Sequence, residues 1–296
     1  MMPANRKSVV SGRGICILLF VLWIVALPAA AHLDLEIQIA NVSEAIALDP
    51  ANASLYLKRG ELYRAHSEWP AAEADFLKAR KLAPKMKAVD FYLGRLKLDE
   101  GKPKEAKRIL DRLLAAMPDH ANALIVRARA EIELGRPDAG TRDFNAALAT
   151  LEESGRAQPT YYLERARAFV ELGKVDLALR GLDQGLEHLG QPVTLQLYAI
   201  DLELQLGRHD QALQRLERIA AQSPRKESWL IRRGGILEQA GRPADAREAY
   251  TAALAAIEAL PDTRRWNRAV QRLEASAEEA LERLQSAEAD PGVADE

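Results

Sequence analysis

The chain has 296 residues, 28% of them charged, with 41 Lys+Arg against 43 Asp+Glu and a formal net charge of −2. A balance this close to neutral gives no reason to expect a polyanion-binding protein. The 17 Gly, 14 Pro and 5% aromatics are few for the length and point to an all-helical protein, and the one cysteine, Cys16, falls in the segment set apart next, so the body has no disulfide, thiolate metal site or cysteine nucleophile.

Residues Met1–Gly14 carry Arg6, Lys7 and Arg13 and no acid; Ile15–Leu27 is an unbroken apolar run; Pro28 ends it, and Ala29, Ala30 and Ala31 supply small residues before His32. This is the pattern of a secretory signal peptide (residues 1–31), and the run is short for a spanning helix. Cleavage after Ala31 predicts an exported, periplasmic body with 38 Lys+Arg against 43 Asp+Glu. An uncleaved run would hold the body at the inner membrane on the same side, the only setting in which a membrane contact is expected.

The body repeats. Units start at Ala53, Lys87, Ala121, Pro159, Val193 and Glu227, in steps of 34 except for one of 38 after Ala121. The eighth position is small in five units (Gly60, Gly94, Ala128, Ala166, Gly234) and Ile200 in the other; the fifteenth is Ser67 and then Gly101, Gly135, Gly173, Gly207 and Gly241. The twentieth is Ala72, Ala106, Gly140, Ala178, Ala212 and Ala246, and the twenty-fourth Phe76, Leu110, Phe144, Leu182, Leu216 and Tyr250. A glycine at fifteen takes the left-handed conformation that ends a helix, and Pro103, Pro137 and Pro243 follow where a helix start tolerates them. Small residues at eight and twenty let two helices approach, and the large residue at twenty-four fills the space between them. The spacing predicts two antiparallel helices per unit.

This order of small, large and small residues resembles the tetratricopeptide repeat, from Ala53 to about Pro261. The resemblance implies an all-α solenoid of about six helix-turn-helix repeats whose concave groove binds a protein or peptide. The sequence departs from the family pattern in placing Arg59, Arg127, Arg165 and Arg233 at position seven, and Lys97, Glu131 and Glu203 at position eleven; the unit from Ala121 is four residues longer and has Glu152 where a proline closes others. Residues 32–52 match only the back half of a unit and read as an N-terminal cap helix. After Pro261 no glycine interrupts the pattern, which predicts one long C-terminal cap helix over 262–289 with an apolar face at Trp266, Val270, Leu273, Ala277, Leu281 and Leu284, then a disordered tail over 290–296.

No phosphate loop, nucleophile elbow or HExxH motif occurs, so neither an enzyme nor a cofactor is expected. The histidines His32, His66, His120, His188 and His209 are scattered and imply no metal site. His32 as a new N-terminus would be one remote copper-binding alternative. Export and an acidic body argue against nucleic acid, and the basic pairs Arg232–Arg233 and Arg264–Arg265 read as ordinary surface.

Three features remain. Arg59 and Arg127 each have an aspartate sixteen residues on, Asp75 and Asp143, suggesting structural pairs within a unit; Arg165 and Arg233 face Gly181 and Ala249 instead. Position nine holds Arg95, Arg129 and Arg167 in three successive units, a ladder suited to an acidic segment or a terminal carboxylate, against the competing local pairing with Asp99, Glu133 and Glu171 four residues on. Positions five and six hold Phe91, Tyr92, Ile125, Val126, Leu163, Leu197 and Tyr198. The expected contact surface is therefore Arg95, Arg129, Arg167, Phe91, Tyr92 and Val126. An alternative is a structural subunit of an envelope or polysaccharide-export assembly that uses its convex face or its ends.

Overall fold

The computed structural model describes residues 34–289, and among these there are helices and turns but no strand. The signal segment, His32 and the C-terminal tail lie outside the described residues. Two compact units divide between Arg136 and Pro137. The first contains α1 (34–48), α2 (Ala53–Ala65), α3 (Trp69–Leu82), α4 (Ala88–Asp99), α5 (Pro103–Ala116) and α6 (Ala121–Glu133). The second contains α7 (Pro137–Glu153), α8 (Pro159–Glu171), α9 (Val175–Leu189), α10 (Val193–Gln205), α11 (His209–Gln222), α12 (Glu227–Gln239), α13 (Pro243–Glu258), α14 (Asp262–Arg265) and α15 (Arg268–Ala289). None of the described helices is long and apolar enough to cross a membrane.

Helix ends follow the residues that can make them. The side chain of Asn52 accepts from the Ser54 amide at 3.1 Å to start α2, and His120 Nδ1 accepts from the Ala123 amide at 3.1 Å to start α6. At position fifteen all six residues are left-handed, from Ser67 at φ 63° to Gly135 at φ 72°. The next amide then reaches back across the turn, as Lys102 N does to Lys97 O and Arg208 N to Glu203 O, both at 2.8 Å.

Small-on-large packing joins the helices of a pair. A Cβ at Gly60 would lie 2.4 Å from the Phe76 ring, and one at Gly94 would lie 2.7 Å from Leu110. In the second unit, Gly234 stands in the same relation to Tyr250, at 2.6 Å. In the first unit Val42 and Ile46 of α1 cap a core of Tyr56, Phe76, Leu93 and Leu96. In the second unit one cluster gathers around Tyr162, Leu182 and Leu195, and another is closed by Ala277, Ala280 and Leu284 of α15.

The expected C-terminal cap is present, but it is not one unbroken helix from Asp262. The helix stops after Arg265 and restarts at Arg268, because Asn267 Oδ1 accepts from the Ala269 amide at 2.8 Å and caps a new helix. Trp266 is thereby turned out of the apolar face assigned to it and is 73% exposed.

Most of the unusual charges at positions seven and eleven are absorbed inside the units, whereas Arg233 is exposed. Arg59 donates from Nε and Nη2 to the two Asp75 oxygens, each at 2.7 Å, as the sixteen-residue spacing predicts. Arg165, 4% exposed, donates instead to Asn145 at 3.1 Å and to the Gly181 carbonyl and Gln184, both at 2.9 Å. Its guanidinium occupies the space that the missing Gly181 side chain leaves. Glu152, in place of a closing proline, accepts from the buried Tyr162 hydroxyl at 2.6 Å and from Gln184 at 2.9 Å. At position eleven, Lys97 lies between Glu73 (2.8 Å) and Glu100 (3.2 Å), Glu131 meets Lys107 at 3.4 Å, and Glu203 accepts from Arg215 at 2.7 Å. Each of these position-eleven charges therefore faces an opposite charge, which burial requires.

The turns and the buried charges can be tested separately by stability. Gly207→Ala, where a Cβ meets nothing within 4 Å, lowers stability by about 1 kcal/mol through backbone strain alone, and Ser67→Gly raises it by a similar amount; thermal unfolding of both variants checks the opposite signs. Burial works against the charge of Glu100, but hydrogen bonds from Lys102 and Lys97 outweigh it and hold its carboxyl below the usual range. That stabilisation is present above the unfolded carboxyl pKa and is lost as pH falls through the folded value. Glu100→Gln is thus expected to cost about 1–3 kcal/mol at neutral pH and to converge with wild type in acid, as read by urea unfolding across pH.

Candidate functional site

Within the first unit α2, α4 and α6 are neighbours, so positions five, six and nine of successive repeats share one face. Arg95, on α4, is half-buried and sits over the Phe91 ring at 5.8 Å. Its Nη2 donates to Glu61, the position-nine residue of the preceding repeat. The expected local partner, Asp99, accepts from Arg64 of α2 instead. At Arg95 and Asp99 the charges thus pair across repeats rather than with each other along α4. Burial of the Arg95 guanidinium opposes its charge more than Glu61 supports it, and its Nε is buried without a hydrogen-bond partner among the described residues.

Phe91 and Tyr92 are half-exposed and meet edge to face at 5.3 Å; Tyr92 also stacks on the core residue Phe76 at 5.7 Å. Val126, at 3% exposure, lies inside the unit together with Ile125, so it supports this face from beneath. Arg129 is half-buried on α6 of the first unit. Arg167 belongs to the second unit, where it is exposed and lies over the Tyr198 ring at 5.9 Å. The structure therefore brings Phe91, Tyr92 and Arg95 together on one helix and places Arg167 in a separate compact unit.

Between α2 and α4 the face opens into a hollow of about 630 Å³, lined by Leu57, Lys58, Glu61 and Leu62 on one side and Met86, Ala88 and Tyr92 on the other, with Ser54 at its edge. Lys58 is exposed there and forms no ion pair among the described residues. It occupies the same position six as Tyr92 and Val126, so the column already carried the signal; selecting only apolar members of that column passed it over. A run of pairs in the second unit, not anticipated from the sequence, links each turn to the repeat before it: Lys174 to Asp138 at 2.9 Å, Arg208 to Asp176 at 2.7 Å and Arg242 to Asp210 at 3.2 Å. These are solvent-exposed and contribute little individually.

A second concavity lies between α11 and α12 in the second unit, lined by Leu216, Ala220, Trp229 and Leu230, with Glu217, Lys226 and Arg233 also bordering it. Among the described residues no group of three or more His, Cys, Asp or Glu side chains is placed to hold a metal ion.

Comparison with known proteins agrees with this architecture. Two tetratricopeptide repeat models match, one over residues 97–160 and the other over residues 199–262. No curated protein sequence matches the chain. Among solved structures the chain is similar to PilW, described as a widely conserved type IV pilus biogenesis factor, at 19% identity over 70% of this chain and 95% of that one, with a TM-score of 0.55. It is also similar to PilF of Pseudomonas aeruginosa, at 16% identity over 77% of this chain and 98% of that one, with a TM-score of 0.51. At these identities the likeness is one of fold. The two matched stretches are similar to tetratricopeptide repeats, and the helix pairs, left-handed turns and small-on-large packing described above give the described residues an all-α, helix-turn-helix architecture of the tetratricopeptide-repeat type.

Proposed function

We propose that the protein is an exported scaffold that binds a protein or peptide partner along the first helices of its repeats. The observation that carries this reading is the hollow between α2 and α4. Apolar Leu57, Leu62, Met86 and Tyr92 line it, and Lys58 and Arg95 stand beside it. An apolar side chain of a partner fits such a surface, and an acidic residue or a C-terminal carboxylate beside it finds Lys58 first. Arg95 becomes available by exchanging Glu61 for the partner's carboxylate, a like-for-like replacement of one charge-assisted hydrogen bond by another. Arg129 on α6 extends the same face, and Arg167 with Tyr198 offers a second contact on the other unit.

A second reading has its own observation. On α1, Ile37 is 52% exposed and Leu48 89% exposed, an apolar surface at the end of the first unit that suits an assembly subunit held by its ends. Export rests on the apolar run and the Ala29–Ala31 site, which the described residues do not include.

Partner capture from an envelope extract distinguishes the two. Lys58→Glu and the Arg95/Arg129/Arg167→Ala variant are expected to lose the partner, with loss deepened by salt, while Ile37→Ser retains it; the reverse pattern supports the end-contact reading. N-terminal sequencing of the protein recovered from cells is expected to begin at His32, and a protein still beginning at Met1 would leave the body anchored.

A further inference from the structure

The helix restart at the C-terminal cap leaves a surface that the repeat stack does not use. Trp266 stands between α14 and α15 with 73% of its surface in water and belongs to none of the core clusters described above. Arg264, Arg268 and Arg272 are exposed around it in sequence, and none of the three forms an ion pair among the described residues. Arg265 is half-buried and meets Glu274 at 3.8 Å. From Arg264 to Arg272 there are four arginines and no acid, in a protein whose formal net charge is −2. The nearest carboxylates in sequence are Asp262 before it and Glu274 after it; Glu278, Glu279 and Glu282 lie farther along α15.

We infer that this patch is a contact for an anionic phospholipid surface. Three arguments select that partner. Guanidinium groups bind phosphate in a forked geometry and are drawn to acidic headgroups. An indole with one apolar body and one N–H is suited to the boundary between headgroups and acyl chains. Trp266 lines none of the concavities described above, and the Asn267 side chain is already used in capping α15. The patch therefore offers charge and an indole without a groove. That matches a flat, fluid, negatively charged surface better than an acidic peptide, which needs fixed contacts along its backbone. The contact lies in the second unit, apart from the face between α2 and α4 of the first.

The test uses the full-length protein with vesicles whose acyl chains bear bromine, which quenches tryptophan on contact. The Trp266 contribution is the difference between wild type and Trp266→Phe, which sets aside Trp69 and Trp229 and any binding through the N-terminal apolar run. Quenching of that difference signal is expected with phosphatidylglycerol vesicles at low salt and not with phosphatidylcholine vesicles. The Arg264/Arg268/Arg272→Gln variant is expected to weaken it about a hundredfold. No quenching, equal quenching on both vesicle types, or quenching unchanged in the triple variant overturns the assignment. Circular dichroism of each variant keeps loss of fold apart from loss of contact.

Discussion

The close approach of the two helices in each pair is the constraint on which the rest depends. Phe76, Leu110, Phe144 and Leu182 are wholly buried, and where the facing residue is Gly60 or Gly94 no side chain larger than a hydrogen fits without displacing the ring or the leucine. The contact draws the helices together over their length. It fixes which face of each helix turns inward and therefore which columns remain outside. Because each repeat buries its apolar surface on its neighbours, the ends need separate closure. Val42 and Ile46 supply it in the first unit, and Ala277, Ala280 and Leu284 supply it in the second.

The charged residues sort themselves by that geometry. Those that face inward are neutralised: Arg59 by Asp75, Lys97 by Glu73 and Glu100, Arg215 by Asp183 and Glu203. Arg165 has no carboxylate across from it, and is held by a carbonyl and two amide oxygens. Isolated buried pairs of this kind contribute little net stability against an apolar alternative, but losing one partner is costly. On the exposed face of the first helices in the first unit, the surface we propose for a partner, Lys58 is unpaired among the described residues and Arg95 is held by Glu61.

The repeat columns were legible because their consequences are local. A left-handed turn or a missing Cβ acts on residues within the same unit, and Ser67 shows that the turn survives even where glycine is replaced, at a cost in backbone strain. The Arg59–Asp75 pair was legible for the same reason, since an antiparallel pair fixes a sixteen-residue offset. The surroundings of Arg95 were not, because its partner Glu61 is one whole repeat away and the offset between repeats depends on how they pack. Positions five and six read as groove-side columns and so place Val126 on the contact surface, yet position six is half-exposed at Tyr92 and buried at Val126. The break at Trp266 was hidden because it arises from a side-chain cap at Asn267 competing with helix continuation, and neither glycine nor proline marks it.

The central claim is that partners meet this protein on the first helices of its repeats. A photo-crosslinking residue placed at Tyr92, compared with one at Leu77 on the outward side of α3, tests it most directly in intact cells. The expected result is a specific crosslinked species from position 92 that is suppressed by Lys58→Glu, and none from position 77. Crosslinking from position 77 alone would contradict it and assign the partner to the second helices.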